Sequence, residues 1–221
     1  MISQRGSHWD RRQIGISFLL FVGVVLIVFF WVDRPVALLI AKNLPGVIAS
    51  RREYAPDLLL PLTLVISATS WAGYIWLTSK KSDSPFRHIF ATIGLAALLA
   101  LASKTVLQRL FGRLNPVDWL TAQHVPRFHL PPARKNSYAF PSGHMTVFTA
   151  VLISLGRMIP SLGALWIGLW AALAIALVGC NFHFVSDIVA GAYLGIVIDW
   201  VSFKSTLRLV DSSRPPDSAC R

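Results

Sequence analysis

Acidic side chains are scarce in this chain, ten Asp and Glu among 221 residues, and charged residues of both signs make up only 14%. A water-soluble domain carries nearer a quarter, so that class is excluded. Cysteine is almost absent: Cys180 closes an apolar run and Cys220 lies in the polar end, which argues against a disulfide framework and against redox chemistry. No run of small residues suited to signal-peptide cleavage follows the first apolar segment, so that segment is expected to stay as a membrane span. Regular ligand spacing is missing as well. His124, His129 and His144 make no recognisable set, so neither a metal nor another cofactor is expected.

What is abundant is apolar surface: 54% of the residues are hydrophobic and the mean hydropathy is +0.58. Several runs reach the ~20 residues a helix needs to cross a bilayer. The pattern predicts an all-α polytopic membrane protein with six transmembrane helices, over residues 14–32, 56–78, 86–111, 142–159, 162–180 and 185–203. Residues 33–55 mix apolar positions with Lys42, Pro45, Arg51 and Arg52, and read as an interfacial amphipathic helix between spans one and two. The chain thus divides into a cytoplasmic segment, 1–13, a membrane domain, 14–203, containing a basic Pro-rich loop at 112–141, and a polar tail, 204–221, expected to be disordered. Asp199 is expected at the interface, where a span ending near Trp200 would leave it.

The net charge of +11 does not point to nucleic acid, because the basic residues sit in short loops and ends rather than on one face. Six spans place the N-terminus, the loop at 80–87, Arg157 and the tail on one side, with eleven Lys and Arg, against ten on the other. Ten cations on the side of the long loop suggest an anionic ligand there. The short N-terminal segment sets the orientation, N-terminus inside.

Two stretches concentrate chemistry at the starts of apolar segments on that side. In Phe140-Pro141-Ser142-Gly143-His144, Ser142 is placed to N-cap a helix, Gly143 lets an oxyanion approach the backbone, and His144 can donate a proton. In His183-Phe184-Val185-Ser186-Asp187, a carboxylate four positions after a histidine can hold one ring nitrogen and leave the other basic. Each stretch alone also suits a plain helix start. Together, on one membrane face beside a basic loop, they suit an oriented imidazole facing an anion site. The spacing leaves open which histidine attacks.

These stretches, with Ile188-Val189-Ala190-Gly191-Ala192 and Phe111-Gly112-Arg113-Leu114-Asn115-Pro116, resemble the type 2 phosphatidic acid phosphatase (PAP2) superfamily of membrane lipid phosphatases over roughly residues 55–203. The resemblance implies metal-independent hydrolysis of a lipid phosphate in a bacterial inner membrane, with the site facing the periplasm. It implies that His183 attacks phosphorus, Asp187 orients it and His144 protonates the leaving oxygen, while Ser142 and Gly143 bind the phosphate. Two departures stand out. The family's first-motif lysine and arginine fall on Gln108 and Asn115, and its third-motif arginine falls on Leu177. Lys104, Arg113, Arg134 and Lys135 are the candidate replacement cations, with Arg109 and Arg127 behind them. A phosphotransferase using the same site, or a non-catalytic binder or transporter of anionic lipid, are the alternatives.

Overall fold

The computed structural model describes residues 11–45, 58–80, 84, 86–121 and 138–212, and all the regular structure in them is helical. In chain order the helices are α1 (Arg11–Ile27), a π turn (Val28–Val32), α2 (Asp33–Asn43), α3 (Leu59–Ser79), α4 (Phe86–Phe111), α5 (Pro116–Thr121), α6 (Gly143–Met158), a 3-10 turn (Pro160–Leu162), α7 (Gly163–Gly179) and α8 (Val185–Ser212). Five of these segments are long and apolar enough to cross a membrane: Arg12–Asn43, Leu59–Ser79, Phe86–Phe111, Pro160–Gly179 and Val185–Leu207.

The core is the triangle of α4, α6 and α8, with α3 packed on α4 and α7 on α6. Small side chains let these helices approach. Ala96, Ala100 and Ala150 are fully buried among Ile89, Val147 and Ile198. On α8, Gly191 and Gly195 lie one turn apart, and a Cβ at either would stand 2.5–2.6 Å from the carbonyl oxygen of Ser142 or Thr146 on α6. Such small-xxx-small contacts replace the hydrophobic drive that a lipid environment does not supply. Their consequence here is positional, because they hold the start of α8 against the start of α6.

Three expected boundaries move. The first span does not end at Val32; the helix runs on to Asn43 through the π turn, in which the Asp33 amide donates to Val28 O. Pro35 supplies the reason, since its ring clashes with the carbonyl four residues back, at Trp31, and a widened turn relieves that clash. The rest of the expected interfacial helix, 46–55, lies outside the described residues.

The last helix likewise passes Phe203 and takes in the first nine residues of the expected disordered tail. It continues because Ser202 and Thr206 are buried and Thr206 shares a 2.7 Å hydrogen bond with Thr92 of α4. Asp199 is therefore not at a helix end, and it is 1% exposed, with its carboxylate held by Ser154 and by Arg157 in the last turn of α6. The long loop, finally, contains α5, which Pro116 opens and Asn115 caps by accepting from the Asp118 amide at 3.0 Å.

Candidate active site

The two chemical stretches meet. Ser142 donates its amide to the Asp187 carbonyl at 3.1 Å, and the rings of His144 and His183 face each other edge to face with centroids 6.4 Å apart. Ser142 has extended backbone angles and accepts the Met145 amide on its side chain, the N-cap its sequence predicts. Gly143 opens the helix, and its amide is one of the four that no intrahelical carbonyl can reach. A cis peptide joins Phe140 to Pro141 just before this turn.

His183 lies two residues before α8, which opens at Val185 as the apolar pattern predicts. The pair closes across the helix start. Asp187 Oδ2 accepts the Phe184 amide at 2.9 Å, the reach-back of a third-position acid to a cap. The same oxygen stands 3.6 Å from His183 Nδ1, just beyond hydrogen-bond length. His183 Nδ1 is buried and makes no hydrogen bond among the described residues, so Asp187 is its polar neighbour. Nε2 is the ring nitrogen left for chemistry. Leu177, in the slot of the family's arginine, is buried in the apolar cluster with Met145 and Ile188, and only its carbonyl serves the site, accepting the His183 amide at 3.3 Å.

Of the candidate cations, Lys104 reaches the cradle. Its stem crosses Gly143 so closely that a Cβ there would lie 2.5 Å from Lys104 Cδ. Gln108, one turn on, is buried and donates to the Pro141 carbonyl at 3.0 Å, so the neutral amide ties α4 to the turn before Ser142.

Arg113 corrects the expectation. It is 0% exposed and its guanidinium is committed to carboxylates: it donates to Asp33 Oδ2 at 2.6 Å, to Ser186 Oγ at 2.7 Å, and to Asp187 Oδ1. The rings of Phe29, Phe140 and Phe184 surround it, with the nearest centroid, that of Phe184, at 4.4 Å. A cation so enclosed holds Asp187 in place instead of meeting a phosphate. Asn115, in the other family cation slot, is spent on capping α5. Arg109 is exposed on α4. Arg134 and Lys135, like Arg127, His124 and His129, lie outside the described residues.

The fold thus brings together an imidazole beside a carboxylate, a second imidazole facing it and a helix start with a lysine across its glycine. The sequence pattern that defines the PAP2 superfamily matches residues 88–211, which include all of these groups. The chain belongs to the PAP2 superfamily. That superfamily consists of phosphatases, which supports a phosphoric ester hydrolase in general terms. No curated protein and no solved structure gives a significant match to the chain.

Asp33 is the residue this PAP2 member's sequence analysis missed. It is 1% exposed, accepts the Ser186 amide at 2.9 Å as well as the Ser186 hydroxyl, and pairs with Arg113. A signal was available: a carboxylate at the end of an apolar run is costly to bury unless partnered, and so marks a site.

Proposed function

We propose that this chain hydrolyses a phosphate monoester or diphosphate on a lipid through a phosphohistidine. The observation that carries the reading is the facing of His144 and His183 at 6.4 Å beside the Ser142–Gly143 helix start. His183 Nε2 attacks phosphorus as the bond to the leaving oxygen breaks, and His144 gives that oxygen its proton. Asp187, next to Nδ1, stabilises the positive charge the ring acquires. The Gly143 amide, the Ser142 hydroxyl and Lys104 bind the equatorial oxygens, where charge is held through the transition state. Water, activated by the now neutral His144, then cleaves the N–P bond, releasing phosphate and restoring both histidines.

The site's place at the ends of apolar helices supports a lipid substrate. We assign six spans, counting α6: its 16 residues reach about 24 Å, short of a ~30 Å hydrocarbon core, a mismatch that local thinning of the bilayer accommodates. The first helix, 32 residues and about 48 Å, exceeds the core, so α2 emerges into the headgroup region. The basic N-terminus supports a site on the far side, the periplasmic face of a bacterial inner membrane.

Phosphate release in detergent from a panel of lipid phosphates, with and without chelator, tests the reading. His183→Ala should abolish turnover and His144→Ala should lower it about 10²-fold or more. Turnover that survives both substitutions sinks the mechanism. A second reading, a binder of anionic lipid without turnover, is favoured by the neutral side chains at Gln108 and Leu177. It is selected if the protein binds phosphatidate vesicles but releases no phosphate from any lipid.

A further inference from the structure

The first helix lies outside the residues that match the family, yet it supplies a buried carboxylate to the site. We propose that Asp33 is a positioning residue for the phosphoryl transfer, acting through Arg113 on Asp187 and so on His183. The inference rests on the hydrolase reading.

Charge argues for it. Arg113 and Asp187 alone form a neutral pair, and a guanidinium donating to Asp187 Oδ1 draws that carboxylate's charge away from His183. Asp33, 2.6 Å from the other guanidinium nitrogen, is a second carboxylate on the same cation. The three groups together then carry one net negative charge, which Asp187 presents to the ring nitrogen 3.6 Å away. Inside a low-dielectric site that charge is what stabilises a ring turning cationic on attack. Asp33 also takes the Ser186 amide and hydroxyl, and so fixes the first turn of α8 from which Asp187 projects.

The helix is shaped to deliver it. In an uninterrupted α-helix, Asp33 lies about 120° around the axis from Phe21, at 100° per residue. Phe21 marks the face toward α8, stacking on Tyr193 with centroids 4.0 Å apart. One extra residue in the π turn reduces that angle to about 20° and turns Asp33 onto the same face. The widened turn that Pro35 demands thus aims the carboxylate.

The test uses the full chain with dioctanoyl phosphatidate in detergent micelles. Asp33→Asn should lower kcat at least tenfold with KM within twofold of wild type. Ser17→Ala, which removes another side-chain contact of the same helix, to Tyr193 at 3.4 Å, should keep the wild-type kcat. A second readout needs no turnover. With 15N-histidine labelling, the ring signals of His183, assigned by their loss in His183→Gln, should move in Asp33→Asn and hold in Ser17→Ala. Should Asp33→Asn not fold, Ser186→Ala loosens Asp33 while keeping its charge, and should move the same signals in the same direction by less. Wild-type kcat together with unmoved His183 signals overturns the inference. If the wild-type protein releases no phosphate from any lipid of the panel, the hydrolase reading fails on its own, and the His183 signals still decide whether Asp33 positions the ring.

Discussion

Gly191 of α8 packs against the carbonyl of Ser142 so closely that a methyl group on it would stand 2.5 Å from that oxygen. The same Ser142 caps the helix whose first turn faces His183, and Gly191 follows Asp187 by one turn. The contact therefore links stability to geometry.

Gly191→Ala should push α8 away from α6 and separate Asp187 from Ser142, because the obstacle is backbone and cannot rotate aside. The expected cost is about 1–3 kcal/mol. It would be read as a lower thermal midpoint in detergent, with kcat falling further than stability alone explains.

Lys104 is the cation across Gly143, and charged hydrogen bonds to phosphate contribute about 1.5–3 kcal/mol. Lys104→Ala should therefore lower kcat/KM about 10- to 100-fold on a lipid phosphate, and Lys104→Arg should lower it less. Equal kcat/KM for wild type and Lys104→Ala would remove the lysine from the cradle.

Asp199, Arg157 and Ser154 form an ion-paired cluster well away from the chemistry, with Asp199 about 18 Å along α8 from Asp187. Arg157→Met strands a buried carboxylate and should cost about 3 kcal/mol, the low end of the range for such a pair because Arg157 is partly exposed. Adding Asp199→Leu should recover part of the loss, since an apolar pair leaves no charge unpaired. Thermal denaturation of the single and double variants separates these outcomes.

Asn115 occupies the slot of a family cation but caps α5. Asn115→Ala should cost about 1 kcal/mol of stability, and Asn115→Arg should lose the cap as well without raising kcat/KM. A gain in kcat/KM for Asn115→Arg would show that the slot still addresses the phosphate.

Much of this was legible in the residues themselves. The bounds of α4 follow its apolar run, and Ser142 caps α6 because a small hydroxyl before an apolar segment satisfies the helix's first amides. The meeting of the two chemical stretches followed from counting spans. What the spacing did not show is that Asp187 stands just beyond hydrogen-bond reach of His183 Nδ1, because the helix opens after His183 and the carboxylate turns back to the Phe184 amide.

Local chemistry thus determined the apolar helices, the cap and the pair of histidines, because each depends on residues within a few positions of one another. Only the tertiary structure decided where the cations lie. Arg113 and Lys104 are both basic residues near a motif, yet one is enclosed by Asp33 and Asp187, 80 and 74 positions away, while the other crosses Gly143. A buried charge takes whichever partner packing brings within hydrogen-bond reach, and for Arg113 that partner, Asp33, directly follows the π turn at Val28–Val32.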